Sequence, residues 1–209
     1  MGRRGYLWYT KAAAWDEGDH ALLSALNRER RGAGTVGGVR DGRNQARHPG
    51  PDGRLAGCYD KRILFSISGE HRSYEPGAEP QVYGVAQGAL TVGQLICYEL
   101  RFPALAWDYA PRVNALCYIA SWPAKRAGQW RALLVARAIE NQCFVVGANR
   151  VGSALGLDYE GGSLLVGPEG DVLLDCGGAE GVFSADIDPG APARSEEHTS
   201  ELQSRITTS

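Results

Sequence analysis

The sequence lacks the features of several large classes of protein. It has no run of roughly 18 consecutive apolar residues, the length that a transmembrane helix needs, and its N-terminus has no signal-peptide apolar core. The net charge is −2 with a pI near 6.1, so no basic field calls for nucleic acid or an anionic membrane surface. We therefore expect a cytoplasmic protein that binds neither nucleic acid nor membranes.

The number and spacing of the cysteines are not those of a disulfide-bonded or zinc-binding protein. There are five, an odd number, and no two of them form a CxxC pair; they are Cys58, Cys97, Cys117, Cys143 and Cys176. This pattern argues against both a complete set of disulfides and a zinc site. Free thiols in a reducing compartment are the expected state, and no metal site is predicted.

The first part of the chain is poor in the side chains that build buried strands. Residues 1–57 contain nine Arg and eleven Gly but no Ile and no Phe. Only residues 19–30 have the apolar spacing of a short amphipathic helix. Residues 1–51 are therefore expected to be mostly loop or disordered.

The last part of the chain is polar and has no periodicity. It follows Asp188-Pro-Gly-Ala-Pro abruptly, and residues 194–205 resemble the translation of a sequencing adapter. We expect residues 191–209 to be a non-native, adapter-like tail that has no role in the fold or the function. An ordinary disordered tail is the competing interpretation.

Between the two ends, an apolar run over residues 89–96 leads directly to Cys97. The run predicts a short buried strand, and the residues after Pro103 predict a helix, because Pro is tolerated at the first helical position. A cysteine at such a junction lies near backbone N–H groups that favour its thiolate. A buried structural cysteine is the alternative.

The remaining pattern predicts an α/β domain with mixed sheets. Strands are predicted over residues 58–65, 81–86, 114–123, 143–150, 163–166, 172–175 and 181–187, and the clearest helix over residues 129–142. Three strand ends carry unusual side chains, at Cys97, at Ser121-Trp122 and at Asn149. Because ligands collect at the carboxyl edges of strands in such sheets, these ends are expected to face one crevice.

Several motifs in the middle of the chain resemble the nitrilase superfamily of carbon–nitrogen hydrolases, and within it the omega-amidase branch. They are Tyr59-Asp-Lys61-Arg, Gly69-Glu70, Leu95-Ile-Cys97-Tyr-Glu-Leu-Arg-Phe-Pro103, Trp122-Pro and Ala136-Arg-Ala-Ile-Glu-Asn-Gln142. They occur in the family's order over residues 52–189. The resemblance implies a four-layer αββα sandwich, incomplete at both ends, with a partial hydrolase domain at residues 52–190.

The resemblance also implies a catalytic set that acts on a small carboxamide and needs no cofactor. Cys97 would be the nucleophile, and Lys61 would stabilise the oxyanion, with the Tyr98 N–H as a second donor. Glu70 matches the family's additional carboxylate beside the lysine, and Trp122 would help to wall the substrate pocket. The implied reaction is hydrolysis of the omega-amide of a 2-oxo dicarboxylic acid, or a similar amide, to acid and ammonia through a thioester. The family resemblance suggests a homodimer.

One member of that catalytic set has no match. The family carries its general-base glutamate well before the lysine, after a buried strand, whereas Glu17 and Glu29 lie in no such context. The role is therefore assigned to no residue. Ile63 also replaces a histidine that is common in the family. A truncation or frameshift upstream of Asp52 and an impaired activity are expected.

Two other functions stay open from the sequence. A non-catalytic relative or fragment that binds acids or a protein partner would retain Cys97 without using it, and the unmatched base favours that interpretation. A redox sensor that uses Cys97 and a partner thiol has only the number of cysteines in its favour, and neither Cys58 nor Cys117 has a special context.

Overall fold

The computed structural model describes residues 4–10, 35–49, 54–85, 88–110 and 112–194. The strands in these ranges are β1 (Arg4–Thr10), β2 (Val36–Arg40), β3 (Arg43–Pro49), β4 (Leu55–Asp60), β5 (Val82–Val85), β6 (Leu90–Ile96), β7 (Ala115–Ala120), β8 (Phe144–Asn149), β9 (Val151–Ala154), β10 (Leu157–Glu160), β11 (Leu164–Val166), β12 (Val172–Asp175) and β13 (Gly181–Ile187). The α-helices are α1 (Pro103–Trp107) and α2 (Ala127–Asn141). Short 3₁₀ turns span Ser66–Ser68, Glu70–Arg72, Cys97–Arg101 and Ala124–Arg126.

The central sheet has six strands in the order β12-β11-β8-β7-β6-β5. Its middle strands β6, β7 and β8 are parallel, and the flanking strands pair antiparallel. Parallel neighbours need a crossover, which α1 provides between β6 and β7 and α2 between β7 and β8. The predicted α/β class with a mixed sheet is confirmed.

Helix α2 covers one face of this sheet at very close range. A Cβ placed on Gly147 in β8 would lie 2.3 Å from Leu134 Cδ1 and 2.8 Å from a ring carbon of Trp130. The larger core cluster lies on this side and includes the fully buried Leu116 and Val145. The helix packs on the strands here because glycine leaves the backbone of β8 bare.

Smaller sheets cover the opposite face. Strands β2, β3 and β4 form an antiparallel sheet, and β1 pairs with β13. The rings of His48 and Tyr83 stack between the sheets with centroids 4.5 Å apart, and a Cβ on Gly57 would lie 2.2 Å from the Tyr83 ring. The described residues thus form helix, sheet and sheet layers in the order expected of the sandwich.

The expectation of loops in the first part of the chain was wrong for the residues that the structure describes. Strand β1 pairs along its whole length with β13, from Arg4 opposite Ile187 to Thr10 opposite Gly181. Strands β2 and β3 form a hairpin whose turn residues Asp41 and Gly42 have φ values of 50° and 71°. Asp-Gly is a strong hairpin signal, and pairing with distant partners overrode the weak strand propensity.

The other element predictions fared better. All the strands predicted from residue 81 onwards and the long helix are confirmed to within a few residues, whereas the strand predicted from Cys58 begins at Leu55 and ends at Asp60. The β9–β10 hairpin was not predicted. The helix predicted over residues 19–30 and residues 195–209 of the predicted tail lie outside the described residues. The first residues of that tail, 191–194, are described and form a helical turn, in which Arg194 pairs with Asp188 at 3.0 Å. None of the described helices is long and apolar enough to span a membrane.

Candidate active site

Cys97 lies where β6 ends, as the first residue of the 3₁₀ turn Cys97–Arg101. Its φ is 49°, in the left-handed region that residues other than glycine rarely occupy. The residue is partly exposed, and its Sγ lies 3.9 Å from the carbonyl oxygen of Ser121 at the end of β7. A strained backbone that presents a thiol at the carboxyl edge of the sheet is typical of a functional position.

Lys61 follows β4 and is paired with Glu70. The Lys61 side chain is 3% exposed, and its Nζ donates to Glu70 Oε2 at 2.7 Å. The other carboxylate oxygen of Glu70 accepts from Asn44 Nδ2 at 2.6 Å, and the Phe65 N–H also donates to Glu70. Burial alone would raise the pKa of Glu70, but the hydrogen bonds from Lys61, Phe65 and Asn44 lower it overall. The carboxylate of Glu70 is therefore favoured in its charged form beside Lys61.

The charges of Lys61 and Glu70 both affect the pKa of Cys97. Burial raises the pKa of the Cys97 thiol, and the charge on Glu70 adds to the rise. The Lys61 ammonium and the Tyr98 N–H act in the opposite direction without cancelling the effect of burial. The sequence-based expectation of a favoured thiolate was therefore wrong for the resting site, because desolvation outweighs the nearby N–H groups.

The two predicted substrate-contact residues flank Cys97. The Tyr98 ring packs against Phe65 and Phe102, with centroids 4.8 and 5.1 Å away. Trp122 is 3% exposed, and its ring lies under the guanidinium of Arg101, 4.8 Å from centroid to Cζ. Arg101 also donates to Gln129 Oε1 at 2.6 Å. A cation is thus held beside the turn that carries Cys97.

The three strand ends meet as the sequence predicted. Asn149, the last residue of β8, accepts from the Trp122 N–H at 2.7 Å and donates back to the Trp122 carbonyl at 3.1 Å. Its amide also donates to the Gly161 carbonyl at 2.7 Å. Together with the approach of Cys97 to Ser121, these contacts place the ends of β6, β7 and β8 side by side.

Two polar residues at the site were missed from the sequence. Asn44 contacts Glu70 and accepts the Lys61 N–H on its carbonyl oxygen at 2.9 Å. Glu99 is 0% exposed and accepts four hydrogen bonds. Glu99 accepts from the Ile96 N–H as the glutamate of a capping box does, but Ile96 lacks the hydroxyl that completes the sequence pattern. Asn44 has no comparable signal in its Arg- and Gly-rich surroundings.

The remaining polar residues at the site were checked for metal ligands and for other contacts. No group of three or more His, Cys, Asp or Glu side chains among the described residues could hold a metal ion. Glu140 accepts from Arg137 Nη1 at 2.8 Å, and Asn141 donates to the Arg137 carbonyl. Arg137 also donates to the Leu100 carbonyl at 2.8 Å, so this network joins the end of α2 to the turn that begins with Cys97. His71 is exposed.

The carbon–nitrogen hydrolase family model matches residues 23–193. The chain therefore belongs to the carbon–nitrogen hydrolase family. The match begins upstream of Asp52, where the sequence motifs placed the start of the resemblance.

Relatives narrow the comparison within that family. The chain is 38% identical over 138 residues to the 2-oxoglutaramate amidase of Bacillus subtilis (strain 168), covering 66% of this chain and 52% of that protein. It is 43% identical over 116 residues to the omega-amidase YafV of Escherichia coli (strain K12), covering 55% of this chain and 44% of that protein. The chain thus spans about half the length of these curated relatives.

A solved structure matches nearly the whole chain. It is a CN-hydrolase superfamily protein from Xanthomonas campestris with an arsenic adduct in its active site, at 25% identity and a TM-score of 0.79. The superposition covers 99% of this chain and 97% of that one. The fold predicted from the resemblance is confirmed by this likeness.

Proposed function

We propose that the chain hydrolyses a small carboxamide to an acid and ammonia, with Cys97 as the nucleophile. The observation that carries the proposal is the buried ion pair of Lys61 and Glu70, 2.7 Å apart, whose charges both act on the Cys97 thiol. Burying a lysine is unfavourable unless its charge has a use or a partner, and here it has a partner and faces a thiol. The names of the amidase relatives support the same reaction.

The first half of the reaction joins the acyl group to sulfur. Cys97 Sγ attacks the amide carbon, and the carbonyl oxygen becomes an oxyanion that the Lys61 ammonium and the Tyr98 N–H stabilise. Preorganised donors of this kind are commonly worth about 3 kcal/mol in the transition state. The C–N bond then breaks, and the thiol proton leaves with the amine as ammonia. The second half adds water to the thioester, which releases the acid and restores the thiol.

Glu70 acts through Lys61 in this scheme. Its lowered pKa keeps the carboxylate ionised, and an ionised partner keeps a buried ammonium charged. Asn44 holds the second oxygen of Glu70 in place. The oxyanion cation is therefore oriented before the substrate arrives.

Arg101 is the residue that we propose binds the free acid group of the substrate. Its guanidinium is held over Trp122, on the same turn that begins with Cys97. A guanidinium binds a carboxylate bidentately, so a free acid on the substrate fits this side of the site. This supports the omega-amide of a 2-oxo dicarboxylic acid as the substrate class. From the family resemblance alone, we propose that the chain acts as a homodimer in the cytoplasm.

The general base, which would take the thiol proton in the first half-reaction and activate water in the second, is assigned to no residue. Glu17 and Glu29, the glutamates that precede Lys61, lie outside the described residues. Both half-reactions need such a base, because it takes the thiol proton as the sulfur attacks the amide and later activates the water that hydrolyses the thioester. The rate of turnover therefore reports whether a residue outside the described ranges fills this role.

Ammonia release from the omega-amide of a 2-oxo dicarboxylic acid tests the proposal. The wild-type chain is expected to release ammonia, and Cys97→Ala is expected to release none. Cys58→Ala, which removes another partly exposed thiol, is the matched control and is expected to behave as wild type. Saturable binding of the amide or its acid product without ammonia release would overturn the proposal and favour a non-catalytic binding protein.

A further inference from the structure

Glu99 is a fully buried carboxylate that bridges the segment carrying Lys61 and the segment carrying Cys97. Its Oε1 accepts from the backbone N–H groups of Arg62 and Ile63 at 2.7 and 3.0 Å. Its Oε2 accepts from the Ile96 N–H at 2.7 Å. Arg62 and Ile63 directly follow Lys61, and Ile96 directly precedes Cys97.

A fourth hydrogen bond reaches the same carboxylate from the other side of Lys61. The Tyr59 hydroxyl, on β4 two residues before Lys61, donates to Glu99 Oε1 at 2.8 Å. Tyr59 is itself 0% exposed. Residues on both sides of Lys61 therefore hydrogen-bond to one oxygen of one side chain.

This bridge matters because Lys61 and Cys97 come from different sheets. Lys61 follows β4 of the three-stranded sheet, whereas Cys97 follows β6 of the six-stranded sheet. Nothing in the pairing of strands within either sheet fixes the spacing between these two side chains. Burial raises the pKa of Glu99, and its four hydrogen bonds act against that rise. One side chain that accepts from both segments is therefore a direct link between the sheets.

We propose that Glu99 is a positioning residue that holds the Lys61 ammonium at its working distance from Cys97 Sγ. The assignment of Lys61 and Cys97 as the groups to be positioned rests on the proposed function. Glu99 itself touches neither substrate nor the reacting atoms. Its effect is transmitted through the backbone at Arg62, Ile63 and Ile96.

The pH profile of Cys97 alkylation by iodoacetamide tests this proposal without any amide turnover. Peptide mapping gives the rate at Cys97 in the native chain at each pH. In Glu99→Gln, we expect the midpoint of the profile to move up by about one pH unit, so that alkylation near neutral pH is about tenfold slower. The reason is that, without the Glu99 bridge, the Lys61 ammonium is held less firmly near Cys97 Sγ and stabilises the thiolate less.

The direction of this shift separates positioning from simple charge removal. Removing a nearby negative charge would stabilise the thiolate and move the midpoint down. Glu99→Asp retains both acceptor oxygens on a side chain shorter by one methylene, and it is expected to recover part of the wild-type rate. Glu169→Gln removes an exposed carboxylate in the turn after β11 and is expected to leave the profile unchanged.

A purely structural role predicts a different result. The melting temperature of Glu99→Gln would fall while the alkylation profile of the folded chain stayed at its wild-type midpoint, and that outcome, or a downward shift, would overturn the proposal. If Glu99→Gln does not fold, Tyr59→Phe removes one donor and is expected to give a smaller upward shift. The proposed function can fail separately. If Glu99→Gln shifts the alkylation midpoint upward as expected but the wild-type chain releases no ammonia, the proposed function is refuted and the positioning role stands.

Discussion

The Lys61 ammonium lies 2.7 Å from Glu70 Oε2, and the two side chains are only 3% and 9% exposed. A pair buried to this extent is sensitive to the loss of either partner, because the remaining charge is left without water. Asn44 and the Phe65 N–H add further hydrogen bonds to the carboxylate. The pair is therefore both the electrostatic centre of the site and a sensitive point for folding.

Replacing Glu70 with Gln is expected to lower the free energy of unfolding by about 3 kcal/mol at neutral pH, since it leaves Lys61 buried without a counter-charge. Urea denaturation followed by circular dichroism measures the change. The control is Asp175→Asn, which breaks the Arg131–Asp175 pair, where both side chains are far more exposed, at 51% and 42%. That change is expected to alter the free energy of unfolding by less than about 1 kcal/mol. Equal effects of the two substitutions would contradict the account of the buried pair.

The buried His48 makes stability depend on pH. Burial lowers the pKa of His48 from 6.5 to about 4, so the ring stays neutral in the folded chain at pH values where the unfolded chain protonates it. Its contribution is fully present above pH 6.5 and is lost as the pH falls toward 4. The loss amounts to about 3 kcal/mol by linkage.

His48→Phe provides the control for that pH dependence. Phenylalanine can stack on Tyr83 as the imidazole does but does not titrate. Urea denaturation at pH 7 and pH 4.5 is expected to give a smaller difference in the free energy of unfolding for His48→Phe than for wild type. The same pH dependence in both chains would show that His48 is not the titrating group.

Gly147 sets the distance between α2 and the central sheet. In Gly147→Ala, the added methyl group would lie 2.3 Å from Leu134 Cδ1, and overpacking of this kind costs about 1–3 kcal/mol. Gly84→Ala in β5 is the matched control, because the nearest atom to its added methyl group is 3.9 Å away. Thermal denaturation is expected to show a lower melting temperature only for Gly147→Ala. A lowered melting temperature for both variants would point to backbone effects common to strand glycines.

The sequence predicts the part of the fold that is encoded locally. The apolar runs before Cys97 and Asn149 are long enough to indicate buried strands, and Pro103 marks the start of α1. The position of Cys97 and the meeting of the strand ends follow from those runs and from the general placement of ligands in α/β sheets.

What the sequence could not predict depends on distant partners. Strand β1 contains the strand-favouring residues Tyr6, Trp8 and Tyr9, but its pairing with β13, at the other end of the described chain, is not visible in the sequence. The contacts of Glu99 also need the fold, since its main donors are backbone N–H groups of Arg62 and Ile63. Every residue except proline has a backbone N–H, so the sequence does not show which N–H groups a glutamate contacts. A glutamate that caps its own turn therefore cannot be distinguished from one that links two segments.

The most direct test of the central claim is the intact mass of the chain, quenched in acid within seconds of mixing with the omega-amide of a 2-oxo dicarboxylic acid. We expect a single acyl adduct that maps to Cys97 and ammonia that is released as the adduct forms, followed by loss of the adduct as water hydrolyses the thioester. Cys97→Ala is expected to show neither adduct nor ammonia. Ammonia release from the Cys97→Ala chain at the wild-type rate, or an acyl adduct on another cysteine, would contradict the assignment of Cys97 as the nucleophile.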